Sequence, residues 1–417
     1  MCYNRYGGNM KRALVMSGGG GKGAYQFGVW KALRKLNIEF DIVTGTSIGA
    51  LNGALIVQDE YLSLWYLWEK ANFDTIYGYK MKNDIDTPLG KKETIKMYKD
   101  GILKSKGMDT TKLEKLANKF ISEEKIRKSN IDYGIVTFNL SDLKAKCITK
   151  DKIPNGQLVD YAIASATCFP AFQLKEIEGK KYIDGGYYDN MPINLAIDMG
   201  ADEIIAVDLR AIGLTQKIKD KNVKIITISP HNKLGSFLVF DKKISHRNTR
   251  YGYNDTMKKF NQLEGKVYTF KKGNLTENYN IYSPIIKELI FKNIKHGSKF
   301  NKMIKESNIN LILENHQKKF NNMLEFLGTT YNIDDSKIYN IELFNKKLKR
   351  VTNKELIRDN VSSKDLLNIK GSLSDTVNRQ IINYFYYNFD LNNIITRRLA
   401  LIFTKQFVSS IYLKVIK

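Results

Sequence analysis

Three short stretches of the chain hold residue types able to do chemistry. Gly45-Thr46-Ser47-Ile48-Gly49 has the G-x-S-x-G form of a sharp strand-to-helix turn, which presents a serine hydroxyl to a substrate. Such a turn needs small neighbours on both flanks, and Gly45 and Gly49 supply them. Gly18-Gly19-Gly20-Gly21-Lys22-Gly23 offers a run of unobstructed backbone N–H groups ahead of a helix. That cluster stabilises an anion, whether a phosphate or the oxyanion of a tetrahedral intermediate. Asp184-Gly185-Gly186 puts a carboxylate in a glycine-rich turn. Asp184 is either a base for Ser47 or an ordinary turn aspartate.

Rival readings share these residues. A P-loop needs Gly-Lys followed by Ser or Thr, and Lys22 is followed by Gly23 and Ala24. Gly18, Gly20 and Gly23 do fit the dinucleotide fingerprint G-x-G-x-x-G, which makes a non-catalytic or dinucleotide-binding α/β module the alternative class. That reading wants an acid closing the second strand. Glu39 and Asp41 precede the apolar pair Ile42-Val43, and the strand runs instead into Gly45-Thr46-Ser47. His231 completes a Ser, Asp, His order, so spacing alone leaves a Ser-His-Asp esterase of another lineage open. The other histidines are His246, His296 and His316; Asp189 and Asp208 are competing acids.

The elements that must position these residues alternate. Apolar runs at Ala13–Met16, Ile42-Val43, Ile131–Phe138, Lys146–Thr149, Tyr182-Ile183, Glu203–Leu209 and Val223–Ile228 read as strands. Ala24–Leu36, Ser47–Val57, Leu158–Ser165 and Ile193–Met199 read as helices. The alternation predicts an α/β protein: a three-layer α/β/α arrangement around a mostly parallel sheet. Residues 59–130 interrupt the rhythm as a helical insertion. Its aromatic block at 61–68 reads as a core-facing helix, or as the wall of an acyl-chain groove or lid. Thr111 and Glu114 have capping-box spacing.

All three motifs resemble, in order, those of the patatin-like phospholipases, the serine lipid acyl hydrolases, in their bacterial form. Ser17 to Gln26 resembles the family's oxyanion loop, and Gly45 to Asn52 its elbow and following helix. Ala164-Ser165-Ala166 with Phe169-Pro170, then Asp184 to Pro192, resembles its Asp-Gly-Gly block. The motifs lie within 14–208, and the resemblance implies a catalytic domain over 10–270. It implies a Ser–Asp dyad without a catalytic histidine: Ser47 as nucleophile, Asp184 as base. Backbone N–H groups of Gly19, Gly20 and Gly21 would form the oxyanion hole. Gly18, Lys22, Gly23, Gly45, Gly49, Gly185 and Gly186 would support these motifs. Lys22 would attract a phosphate head group or pack across its own loop. Hydrolysis of fatty acyl esters of phospholipids or other lipids follows, through an acyl-enzyme, with no cofactor and no metal.

Composition bounds the partners. The chain has 417 residues, 43% hydrophobic and 26% charged, which suits packed globular domains rather than disorder. Its net charge is +24, and residues 271–417 carry +12 of it, nearly twice the density of the preceding part. That tail reads as a basic, mainly helical C-terminal region. The surplus favours an anionic partner, although a background crowded with Lys, Asn and Ile contributes to it. With no zinc finger, RNP-like sequence or basic recognition helix, peripheral contact with an anionic membrane is favoured over nucleic acid. Apolar residues and cations interleave at 391–417, as on a membrane-surface helix or on a helix packed against the catalytic domain. Cys2, Cys147 and Cys168 make no disulfide framework and fit a reducing compartment. Residues 1–9 lack a secretory h-region and read as a leader ahead of Met10, and no stretch is long enough to span a bilayer. A cytoplasmic protein, peripheral to membrane, is the expectation. Oligomeric state is not legible.

Overall fold

A computed structural model describes residues 10–294, 299–313, 316–355, 362–367, 369 and 371–416. The leader at 1–9 with Cys2, and also His296 and Lys417, lie outside the described residues. Two compact units follow one another, Met1–Lys259 and Phe260–Lys417.

The first unit opens β1 (Arg12–Met16), α1 (Ala24–Lys35), β2 (Ile42–Thr46) and α2 (Ile48–Val57). The insertion follows as five helices: α3 (Tyr61–Lys70), α4 (Phe73–Tyr77), α5 (Pro88–Ser105), α6 (Thr111–Phe120) and α7 (Glu123–Lys128). Next come β3 (Asp132–Asn139), β4 (Lys144–Thr149), α8 (Leu158–Ser165), β5 (Lys175–Ile177) and β6 (Lys180–Asp184). α9 (Ile193–Asp198), β7 (Glu203–Val207), β8 (Lys224–Ile228) and α10 (Lys242–Lys259) complete the unit. The sheet runs β5-β6-β3-β2-β1-β7-β8, with β4 also on β3. The five neighbours β3, β2, β1, β7 and β8 are parallel; β4 and β6 run antiparallel to β3, and β5 antiparallel to β6.

β1, β2 and β7 are buried along nearly their whole length because both faces are covered. On one face Ala13, Val15, Ile42, Ile204 and Ala206 pack with Ile193 and Ala196 of α9. On the other, Gly53 of α2 sits against Met16, Val43 and Tyr133. The three-layer α/β/α arrangement is thus present. The capping box at Thr111 is not: Thr110 is the N-cap of α6, and the Thr111 hydroxyl turns to Asp109 at 2.6 Å.

The second unit contains β9 (Leu263–Glu264), β10 (Thr269–Lys271), α11 (Asn274–Lys292), α12 (Lys299–Lys305), α13 (Asn308–Leu313) and α14 (Gln317–Thr330). β11 (Ile338–Tyr339), α15 (Ile341–Glu355), α16 (Ser363–Leu367), α17 (Asp375–Tyr387), α18 (Ile394–Ile402) and α19 (Thr404–Val415) follow. A small sheet, β11-β10-β9, accompanies the helices. The chain's last helix does not offer its apolar residues to a surface. Phe407, Val408, Ile411 and Tyr412 of α19 are buried in this unit's own core, and the Tyr412 hydroxyl donates to Asn345 at 2.7 Å and lies 2.9 Å from Asn278 Oδ1. Among the described residues, no helix is long and apolar enough to cross a membrane.

Candidate active site

The register of β3 brings Ser47 and Asp184 together. Thr46, at the end of β2, pairs with Val136, and the next residue of β3, Thr137, pairs with Asp184 at the end of β6. Ser47 therefore stands one strand away from Asp184, although 137 residues separate them in sequence. The Ser47 side chain is close enough to the Asp184 carboxyl to pull its pKa down.

Ser47 takes φ 57° and ψ −129°, a left-handed turn strained for a side-chain-bearing residue. Close packing holds it there. A Cβ on Gly45 would lie 2.4 Å from the Gly49 carbonyl, and one on Gly49 would lie 2.3 Å from the Met16 oxygen. The Ser47 N–H donates to Ser165 Oγ at 2.9 Å, and Ser165 Oγ donates to the Val136 carbonyl at 2.6 Å. Ser165 thus fixes the turn from α8.

Asp184 is buried and accepts the Gly186 N–H at 2.7 Å. Burial raises its pKa to about 6, against the opposing pull of the Ser47 and Gly186 hydrogen bonds. That suits a base: ionised at neutral pH, yet far more proton-avid than an exposed aspartate. If Asp184 is the base, its ionised form is the active one. kcat/KM should then fall about tenfold per pH unit below pH 6 and level off above it, as a pH–rate profile would read.

The glycine loop forms a short 3-10 turn between β1 and α1. Gly18 rests on the site, its N–H donating to the Asn190 carbonyl at 3.0 Å. The loop's N–H groups do not all point to the substrate side. That of Gly21 donates to the Phe237 carbonyl at 2.7 Å, so the expected third oxyanion donor is already committed. Among the described residues, the N–H groups of Gly19 and Gly20 have no protein acceptor, and both residues line the same cavity as Ser47. Lys22 reaches away from its own loop to the segment after β7, Nζ donating to the Arg210 carbonyl at 3.1 Å. Burial lowers its pKa, partly offset by Asp208.

The cavity has a volume of about 700 Å³, and its lining is overwhelmingly apolar. Ser47, Asp184, Gly19, Gly20, Gly186 and Asn190 supply its polar corner. The insertion supplies much of the wall: Leu64, Leu67 and Trp68 of α3, Ile76 and Tyr77 of α4, Leu113, Leu116 and Phe120 of α6. The aromatic block is therefore both core and pocket wall, since Leu64 and Trp68 are buried while Trp65 and Leu62 face outward.

Several contributors were not singled out from sequence. Asn52 joins the glycine loop to the insertion: its amide donates to Gln26 at 2.8 Å and to the Gly23 carbonyl at 3.1 Å, and it accepts from Trp68. Asn190 fills the space between Gly18, Gly186 and Gly213. Cys168 lines the cavity, and burial together with the Asp184 charge raises its thiol to about 12. A polar residue inside an otherwise small or apolar motif, as Asn52 and Asn190 are, is the signal that points to them.

The rivals for these roles lie elsewhere. Among the described residues no histidine lines the cavity. His231 is exposed, its N–H directed to Asp255. Asp189 is buried and also raised to about 6 by burial, but it accepts the N–H groups of Met191 and Gln216 and does not line the cavity. Asp208 caps Arg210 through its N–H at 2.8 Å.

The class so defined is an α/β/α protein with a strand-to-helix serine turn, a buried aspartate beside it and an apolar cavity above both. Residues 14–197 match the family model described as Patatin-like phospholipase. Relatives named Lysophospholipase nte1 from Aspergillus terreus and Lysophospholipase NTE1 from Mycosarcoma maydis are 31% identical over 202 residues and 28% over 204. Patatin-like phospholipase domain-containing protein 7 of Rattus norvegicus is 28% identical over 201. These alignments cover 47–49% of this chain but only 10–13% of those longer proteins. Among solved structures, VipD from Legionella pneumophila aligns with a TM-score of 0.39 at 14% identity, covering 96% of this chain and 92% of VipD. The type III effector ExoU aligns with a TM-score of 0.32 at 12% identity, covering 94% and 85%.

Proposed function

We propose that the chain hydrolyses fatty acyl esters of membrane-derived lipids, with Ser47 as nucleophile and Asp184 as general base. The juxtaposition of the two, set by the register of β3, at the polar corner of an apolar cavity of about 700 Å³ carries the reading. Asp184 takes the Ser47 proton as Oγ attacks the ester carbonyl carbon. The oxyanion is held by the Gly19 and Gly20 N–H groups. The C–O bond to the alcohol then breaks, the alcohol leaves with the proton from Asp184, and the acyl group stays on Ser47. Asp184 next takes a proton from water as the water oxygen attacks the acyl carbon; the bond from that carbon to Ser47 Oγ then breaks, Oγ recovers the proton from Asp184, and the fatty acid leaves.

The names of the relatives favour lysophospholipids and phospholipids within that class. The apolar lining supports a long acyl chain, at about 0.8 kcal/mol for each buried methylene. The test is fatty-acid release from mixed phospholipid vesicles by the wild type, Ser47→Ala, Asp184→Ala and His231→Ala. Loss in the first two, with retention in the third, is the expected pattern. Loss in His231→Ala would sink the dyad in favour of a triad. Narrowing the cavity should act on chain length. Ala117→Phe, which excludes two or more methylenes, is expected to lower the long-chain over short-chain ratio of kcat/KM at least about tenfold.

A further inference from the structure

α5 has an outward face that packing does not explain. Its inner side is closed by Gly90, Thr94, Met97 and Tyr98, all buried. Its outer side carries Leu89, Ile95, Ile102 and Leu103, which are 63%, 68%, 36% and 71% exposed. Between them stand Lys92, Lys96 and Lys99 on the same arc. Among the described residues no carboxylate pairs with these three lysines. Of the helix's acids, Glu93 is turned to the N–H groups of Lys82 and Asn83, and Asp100 stands 4.0 Å from Lys104.

This face is continuous with the cavity. Ile102 lines it, as do the exposed side chains of Tyr66, Tyr187, Ile212 and Leu214. The mouth above Ser47 is thus rimmed by apolar groups, with a stripe of unpaired cations running away from it along α5. At 1.5 Å per residue the helix is about 27 Å long.

We propose that the outer face of α5 docks on an anionic phospholipid bilayer, its leucines and isoleucines entering the interface and its lysines meeting the head groups. The proposal rests on the lipid-hydrolase reading and adds where the lipid surface lies. Interleaved apolar and cationic residues on one helix are the composition of a surface-lying amphipathic segment. A second copy of the chain fits less well, because a two-fold contact would set the lysine stripe against itself. Binding this way delivers a lipid to the cavity mouth and not merely to the protein.

The test uses the full chain carrying Ser47→Ala, so that the vesicles stay intact. Flotation with vesicles of phosphatidylcholine, with and without phosphatidylserine, should show binding that requires the anionic lipid and weakens with salt. Lys92→Glu, Lys96→Glu and Lys99→Glu together should lower affinity roughly a hundredfold, by the usual increment per surface lysine. Ile95→Ser with Leu103→Ser should lower it at least about tenfold. Lys144→Glu, Lys146→Glu and Lys152→Glu, the same change of net charge on exposed positions elsewhere, should leave binding near wild type. The proposal is overturned if the wild type does not float, if the α5 variants bind normally, or if the control triple loses as much. It is equally overturned if the α5 variants convert a dimer to a monomer in sedimentation, which would make the face a self-contact. With Ser47 restored, the α5 variants should keep full activity on a water-soluble short-chain ester. Absence of that activity in the wild type would instead sink the hydrolase reading and leave the flotation result standing.

Discussion

Asp184→Asn is expected to be both inactive and more stable than the wild type at neutral pH. The substitution keeps an acceptor for the Gly186 N–H but removes the proposed base, so kcat should fall by roughly a hundredfold to ten-thousandfold. The stability gain follows from burial. The carboxylate has a pKa of about 6 in the folded chain against about 3.9 in the unfolded one. The folded state therefore holds the proton more tightly, and ionising Asp184 opposes folding. That opposition is absent below about pH 4, where both states are protonated. It grows as pH rises toward 6 and is complete above it, on the order of 2–3 kcal/mol. Chemical denaturation of Asp184→Asn and wild type across pH should show the two curves meeting near pH 4 and parting above it. Ser47→Ala should be equally silent, without the pH-dependent gain. A stabilised but active Asp184→Asn would remove Asp184 from the mechanism.

Gly49→Ala is expected to be strongly damaging. Its Cβ would stand 2.3 Å from the Met16 oxygen and 2.7 Å from the Ser17 oxygen. Both are backbone atoms leading from β1 into the glycine loop, so neither yields without moving the sheet or the loop. Overpacking of this kind costs about 3 kcal/mol or more. A melting temperature lower by roughly 6–12 °C and loss of esterase activity should accompany it. Gly200→Ala gives the contrast. Nothing lies within 4 Å of its Cβ, but φ is +91°, so only the left-handed backbone is penalised, at about 1–2 kcal/mol. Activity should survive there. Equal effects at the two glycines would mean that the turn around Ser47 tolerates rearrangement.

The strands and helices of the first unit were largely legible because each is a local pattern. Leu158–Ser165 is a helix with the bounds its periodicity predicts, and the strands β1, β2 and β7 are buried on both faces, as a covered parallel sheet requires. The Gly21 donor was misread for a different reason. All glycine N–H groups in a run are alike until a distant chain segment claims one, and Phe237 is 216 positions away. The last helix was ambiguous in the same way. Alternating apolar and cationic residues at 391–417 describe a helix with one oily face, but not what covers it. The segment folds as two helices, and the second unit's own core buries the apolar residues of α19 while Ile394, Ile395 and Ile402 of α18 stay exposed.

The sequence by itself determined which residues can do the chemistry. A serine between two glycines, a glycine run after a strand and an aspartate in a glycine turn are local constraints, written where backbone must come close or turn sharply. Only the tertiary structure decided their partnership. The register of β3 sets Ser47 beside Asp184, and the 59–130 insertion closes an apolar wall over them. Those outcomes depend on contacts between residues far apart in the chain, and a local pattern holds no record of which distant surface will arrive.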